Sequence, residues 1–488
     1  MRREPACGAG PRRVSAAPPA ALALRDPLAS LPEPAWLVGG CVRDALLGRP
    51  VADVDVITRG DPAAAAKALS RAHGASRFEL SRDFGAWRLT GGTLPWQVDI
   101  MPMLGETLGE DLRRRDFTVN ALALAVSGDP AIVDHHGGID DLSQKRLALV
   151  GPAALTDDPV RVIRLARLAD SLGFAVDPDA RAAAHAAAGG LLSAPGERVM
   201  EEFSRIIRAD DPVAAIAALD DVGGLTALVP ELGDCRGVEQ STYHHLDVLG
   251  HTYEVLGNVA RIQRDPAEVF RGNAPMVAAA LGTPLADGFT RGDALRITAL
   301  LHDMAKAHTR DVTPEGRVTF VWHDRVGADM ADALMRRLRT SNRLREFVVH
   351  GVRQHLALGF LVHRQPLSLV QYDRYLRRVA PDPIEAIVLS VADRLATDGP
   401  RTTPIQITRH LALARDILAA HARINEMEPI RSAIDGAQLA ELLKRRPGPW
   451  VAELLIAIRE ERLMGRLGDF VATERFARAW NAAGPGAP

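Results

Sequence analysis

Cysteine is nearly absent: three residues in 488, at Cys7, Cys41 and Cys235. Their wide separation excludes a disulfide framework and a cysteine-based zinc site. It fits a reducing compartment, the cytoplasm. Aromatic residues are also scarce, at 5%. No apolar run is long enough to cross a membrane. Met1–Ala21 is rich in Arg, Ala and Pro but has no apolar h-region, so it does not read as a signal peptide. Neither sign of charge dominates: 59 Lys and Arg face 61 Asp and Glu. A nucleic-acid surface would therefore have to come from local patches, such as Arg113-Arg114-Arg115 and Arg336-Arg337-Leu338-Arg339. What is plentiful is Ala and Leu. A chain of this length and composition exceeds one core and implies several, mostly helical, domains.

Short β-branched runs at Trp36–Val38, Val54–Ile57, Trp87–Leu89, Gln97–Met101 and Ala131–Val133 predict strands. Ala-rich, amphipathic Pro62–His73 predicts a helix. Beyond Asp157 the strand signals stop, and helical spacing takes over at Arg161–Leu172, Glu197–Arg208 and Pro212–Asp221. A second helical block runs from His244 to about Asp398, and a helical tail follows. The expected class is α+β. Its divisions are a disordered leader (1–34), a head with a small mixed sheet (35–150), a helical neck (151–235), a helical domain (236–400) and a helical tail (401–488).

The first chemical signal is Gly39-Gly40-Cys41-Val42-Arg43-Asp44 followed by Asp53-Val54-Asp55. Carboxylates at i and i+2 on a strand share a face. Two like charges there gain nothing for the fold, so a cation is expected between them, and an all-oxygen ligand set suits Mg²⁺. A Gly-Gly turn leaves backbone N–H groups free to meet phosphate. Metal and phosphate together indicate nucleotide chemistry.

Three further blocks follow in order: Arg114-Arg115-Asp116-Phe117-Thr118-Val119-Asn120, then Asp134 with Gly137-Gly138-Ile139-Asp140-Asp141, then Asp157-Asp158-Pro159-Val160-Arg161. As a set, from about Trp36 to Leu232, they resemble the bacterial class II tRNA nucleotidyltransferases and poly(A) polymerases of the polymerase-β-like superfamily. The resemblance implies that Asp53 and Asp55, with Asp99 as a third carboxylate, hold two Mg²⁺ for attack by an RNA 3′-hydroxyl. It implies that Gly39, Gly40 and Arg43 meet the triphosphate. Arg115, Asp116 and Asn120 would contact the sugar or hold the head together. Asp158 and Arg161, at i and i+3, face one side of a helix. A carboxylate only accepts and a guanidinium only donates. The pair therefore suits the amino group and ring nitrogen of cytosine or adenine, and rejects uracil and guanine. Asp157 stands where the family carries Glu, and Glu197/Arg198 reads as a structural support of the neck. Residues 100–110 form a short connection, which resembles the enzymes that add only the two cytidines rather than a full CCA.

The second helical block carries His251, then His302-Asp303, then Asp393. This order resembles the HD phosphohydrolase superfamily and implies a site for Mn, Fe, Ni or Mg. His323 and His350 could extend it to a second metal, whereas His244, His245 and His355 read as structural. Neighbours on a helix diverge by ~100°, so His302 and Asp303 can share a centre only where the helix is distorted. The expected function is template-independent addition of CCA, or only CC, to the 3′ end of tRNA from CTP and ATP. The rivals are a poly(A) polymerase, an HD phosphohydrolase whose head has become an RNA-binding module, and a non-enzymatic RNA-binding protein.

Overall fold

A computed structural model describes residues 12–14, 17–32, 34–81, 85–426 and 434–483. They fall into two compact units. One runs to Ala209 and takes in Ala214–Leu228; the other holds Asp210–Val213 and the chain from Val229 onward.

The first unit is built on a mixed sheet of β1 (Arg12–Val14), β2 (Ala35–Val38), β3 (Asp53–Thr58), β4 (Ser76–Ser81), β5 (Ala86–Thr90), β6 (Gln97–Pro102), β7 (Leu122–Ala125) and β8 (Ile132–Asp134). The spatial order is β1-β8-β7-β2-β3-β6-β5-β4. Only β3 and β6 run parallel within it. All five expected strands are present. Three more lie outside the sequence expectation: β1, in the segment read as a leader, β4 and β7. β4 is exposed along almost its whole length, Phe78 and Leu80 included. β7 is buried, but its Leu-Ala-Leu-Ala sequence has no β-branched residue.

The helix at Pro62–His73 has the bounds expected. Asp61 caps it by accepting from the Ala63 N–H, and Gly74 ends it with φ +63°. Helices at Arg161–Leu172 and Gly196–Ile207 complete the apolar packing of this unit.

The leader expected to be disordered over 1–34 requires correction. β1 pairs antiparallel with β8, Arg12 opposite Asp134. Leu24, Leu28 and Leu31 recur at helical spacing and are buried, which removes enough apolar surface to order a segment that composition alone marks as solvated. Arg25 then donates to the carbonyls of Val126 (2.9 Å) and Gly128 (3.0 Å). Residues 1–11, 15, 16 and 33 lie outside the described residues.

Among the described residues the second unit is helical apart from two short hairpins, one of them Arg310–Val312 with Val318–Phe320. Its main core joins Val255 and Val259, Leu295 and Ala299, Ile387 and Val391, from the helices Val248–Arg264, Arg291–Leu301 and Pro383–Leu395. Leu413 and Ile417 from the helix Pro404–Glu426 belong to this same core. A smaller core gathers Leu439, Trp450, Leu454 and Ile458 near the end of the chain.

Leu28 tests the ordered leader. Leu28→Ala is expected to lower unfolding stability by ~2–5 kcal/mol in denaturant titration, as for a packed core leucine. A change within experimental error would mean that the segment does not pack on the sheet in solution.

Candidate functional site

The parallel register sets Asp55 beside Asp99. The antiparallel register of β5 sets Arg88 beside Asp99 in turn. Arg88 grips that carboxylate with two hydrogen bonds of 2.7 Å each. Asp53 is exposed at the start of β3 and Asp55 is partly buried. Burial pushes the Asp55 carboxyl pKa up. The nearby Arg115 opposes the rise, and Asp99 and Asp53 add to it. A carboxylate so short of positive charge fits a site for a hard cation. Asp99, already held by Arg88, is less available than the sequence suggested.

Gly39 follows β2 with φ +79°. A Cβ there would stand 3.1 Å from Arg115 Nη1 and 3.2 Å from Asp55 Oδ2. Both the backbone angle and the close approach therefore demand glycine.

Behind this turn runs a buried polar chain. Arg43 donates to Asn120 Oδ1 (2.7 Å), and Asn120 Nδ2 donates to Asp116 Oδ1 (3.0 Å). The other Asp116 oxygen meets Arg164 Nε at 2.9 Å. Burial raises the pKa of the Asp116 carboxyl, but Arg164 and these hydrogen bonds outweigh it and hold it low. Arg43, Asp116 and Asn120 are thus tied to one another, as a framework would be. Arg164 escaped the sequence reading. Its spacing of three from Arg161 was the available signal.

Asp55, Arg115, Asp116, Asn120, Asp158 and Arg161 line one cleft of about 530 Å³, together with Gly39 and Gly40. Arg114, Arg164 and Arg198 also face it. Asp158 Oδ2 lies 3.7 Å from Arg161 Nε and 2.7 Å from Arg198 Nη2. Arg198, read from sequence as a neck support, stands at the cleft instead.

In the second unit the helix Arg291–Leu301 stops just before His302. Asp303 follows in a turn, the distortion that a shared centre requires. Asp303 Oδ2 lies 3.1 Å from His302 Nε2 and 3.6 Å from His251 Nε2. Its Oδ1 lies 3.3 Å from His323 Nε2 and 3.7 Å from His355 Nε2. Asp393 Oδ1 reaches His251 Nε2 at 3.1 Å. Two triads result, His251/His302/Asp393 and Asp303/His323/His355, each close enough to hold one ion.

Each of these four imidazoles has Nδ1 against a backbone carbonyl: Ala396, Ala299, Phe320 and Val352 for His251, His302, His323 and His355. A carbonyl only accepts, so Nδ1 carries the proton and Nε2 turns a lone pair to the centre. Outer-shell carbonyls orient metal-bound histidines in this way. His251 Nε2, His302 Nε2 and Asp303 Oδ1 are buried without hydrogen-bond partners, an arrangement that fits a cation. Lys306 Nζ stands 2.6 Å from Asp303 Oδ2 and supplies positive charge there.

Two sequence readings are corrected. His355, taken as structural, completes the second triad. His350 does not reach it: its Nε2 meets the Val379 carbonyl at 3.1 Å, and it lines a separate, small cavity with Asp382 and Glu385. The triads open on a cavity of about 640 Å³ that also presents Lys306, Arg317 and Arg394. His244 lines it too, edge-on to His251 at 4.9 Å.

Comparison with known proteins follows the same division. Residues 35–98 and 96–148 match the poly A polymerase head domain, and 173–235 match the probable RNA and SrmB-binding site of polymerase A. Residues 248–398 match the HD domain. The A-adding tRNA nucleotidyltransferase of Deinococcus radiodurans is 33% identical over 95% of this chain and 99% of its own length. The CC-adding tRNA nucleotidyltransferase of Thermus thermophilus is 32% identical over 92% and 94%. Among solved structures, the Thermotoga maritima CCA-adding enzyme complexed with tRNA shares the fold, with a TM-score of 0.59 at 19% identity over 95% of this chain and 96% of that one.

His410 borders the same cavity and faces Ser390 Oγ at 3.2 Å. Burial holds its pKa down at about 4, below the ~6.5 of an unfolded histidine. Its contribution to stability is intact above pH ~6.5 and is lost as the pH falls toward 4, by on the order of 3 kcal/mol. Thermal unfolding followed across that range is expected to show the decline, and His410→Gln to flatten part of it. An unchanged slope in the variant would contradict a neutral, buried His410.

Proposed function

The chain belongs to the tRNA nucleotidyltransferase family, and on that premise we propose that it adds nucleotides of the CCA terminus to the 3′ end of tRNA without a template. It is a nucleotidyltransferase; the acceptor, the nucleotides and the residue roles are the proposal. The observation that carries it is the shared cleft of Asp55 with Asp158 and Arg161, which brings a cation-hungry carboxylate and a donor–acceptor pair to one place.

In this reading Asp53 and Asp55 hold Mg²⁺. When bound, the ion supplies activation of the 3′-hydroxyl and neutralises charge on the triphosphate and the leaving pyrophosphate. The chain's own residues bind and orient. Arg114, Arg115 and Arg164 give the cleft the positive charge that a triphosphate needs. Gly39 lets backbone, Arg115 and Asp55 approach one another without a side chain between them. Asp158 accepts from the amino group of C or A, and Arg161 donates to the adjacent ring nitrogen.

A second activity is supported by the four locked imidazoles around Asp303. His251, His302, Asp303 and Asp393, with His323 and His355, would hold metal. The cations Lys306, Arg317 and Arg394 suit a phosphorylated substrate. The reading is a metal-dependent phosphohydrolase acting on RNA ends or nucleotides.

The test is a 3′-extension assay with Mg²⁺ on tRNA transcripts ending at the discriminator base, at C and at CC, given CTP, ATP or both. Extension confined to these ends is expected, and Asp53→Ala/Asp55→Ala should reduce it by roughly a thousandfold or more. The products read the extent directly: arrest at CC, A added only to CC, or complete CCA. Long A tails on unrelated RNA would instead identify a poly(A) polymerase. For the second unit, the metal content of purified protein should fall in His302→Ala/Asp303→Ala together with phosphatase activity. Retention of both would overturn the phosphohydrolase reading.

A further inference from the structure

Asp158 sits in extended backbone (φ −146°, ψ 93°) between the short helix Ala154–Asp157 and the helix Arg161–Leu172. Nothing in its own backbone fixes the carboxylate plane, because the terminal torsion of an aspartate is broad and roughly two-fold. Two guanidinium groups approach it, and both approach the same oxygen. Arg198 Nη2 is 2.7 Å from Oδ2, and Arg161 Nε is 3.7 Å from Oδ2. Among the described residues, none donates a hydrogen bond to Oδ1. Arg161 is itself anchored elsewhere: Nη1 donates to the Ala154 carbonyl (3.0 Å) and Nη2 to the Arg114 carbonyl (2.9 Å). Arg161 therefore owes its position to the backbone, and the close contact on Asp158 is the one made by Arg198.

Arg198 reaches Asp158 from the first turn of the helix Gly196–Ile207. Its side chain is 54% exposed and Asp158 is 22% exposed. An ion pair so open to water contributes only ~0–1 kcal/mol to stability. Its consequence is orientation.

We infer that Arg198 is a positioning residue for base selection: it pins Asp158 Oδ2 and leaves Oδ1 as the acceptor for the exocyclic amino group of the incoming nucleotide. This rests on the nucleotide-selecting role proposed above for Asp158 and Arg161. A carboxylate held in one plane presents Oδ1 to the amino group of cytosine or adenine. Uracil and guanine set a carbonyl at that position, and two acceptors then face each other. A carboxylate free to rotate can turn away from that repulsion. Loss of Arg198 therefore weakens rejection of the wrong base as well as binding of the right one. The triphosphate contacts and the chemical step are untouched.

The experiment compares wild type, Arg198→Gln, Arg198→Lys and Asp158→Ala in single-nucleotide addition to the tRNA end that wild type extends, using CTP, ATP, UTP and GTP separately. CTP and ATP affinities are measured in parallel by calorimetry, and circular dichroism confirms folding. Arg198→Gln is expected to raise KM and weaken nucleotide binding about tenfold with kcat little changed, the signature of lost binding rather than lost chemistry. The preference for the accepted nucleotide over UTP should shrink by about the same factor, and Arg198→Lys should recover part of both. Unchanged KM and selectivity in Arg198→Gln, with Asp158→Ala impaired, would overturn the inference and leave base selection to Asp158 and Arg161 alone. Unchanged selectivity in Asp158→Ala, or no extension by wild type, would overturn the underlying reading and this inference with it.

Discussion

The parallel pairing of β3 with β6 decides where charge can go in the first unit. It places Asp99 beside Asp55 on the face that already carries Asp53, and three carboxylates in that space repel one another. The surroundings answer with arginine. β5 brings Arg88 onto Asp99, and the loop after Arg113 brings Arg115 near Asp55. The helix Arg161–Leu172 sends Arg164 onto Asp116. Positive charge is thus supplied to Asp99 and Asp116 in full and to Asp55 only in part. The remaining deficit is local, directed at one cleft, and of a kind that a polyphosphate with its cations can fill.

The second unit meets a similar problem with different chemistry. Its central carboxylate, Asp303, is buried among imidazoles rather than guanidiniums. Guanidiniums would be permanently charged and would exclude a metal ion, whereas imidazoles with Nδ1 engaged offer Nε2 as a ligand atom. The contrast suits the two tasks proposed, gripping a polyanion in one unit and holding metal in the other. It arises from side-chain choice rather than fold, since helices deliver Arg164 to one centre and His323 to the other.

Much of this was legible in the sequence because it is local. Asp53 and Asp55 share a strand face, as spacing predicts; Asp158 and Arg161 are related by one turn, closed by the Arg161 N–H on the Asp158 carbonyl, but Asp158 is extended and lies before the helix rather than on its face. What depends on tertiary approach was not legible. Arg88 reaches Asp99 only through strand register. Arg198 reaches Asp158 across forty residues of chain. The histidines of the helix Asn342–Gln354 and its C-cap illustrate the limit: His350 and His355 are five residues apart, which on a helix turns them ~140° from each other. Only one can face Asp303, and nothing in the sequence chooses between them. His350 follows Phe347-Val348-Val349 and His355 precedes Leu356-Ala357-Leu358, and the burial that selects His355 comes from packing partners elsewhere in the chain.

The ordering of the N-terminal segment has a consequence for how the sheet is assembled. Arg12 pairs with Asp134, so β1 leaves the ribosome long before β8, its one partner strand among the described residues, exists. Loop closure over such a separation is entropically costly and slow. Arg25 likewise waits for the carbonyls of Val126 and Gly128, which are made just ahead of β8. This segment is therefore among the last parts of the head to settle, and β1 stays unpaired through most of the head's translation, the condition under which chaperones engage a growing chain.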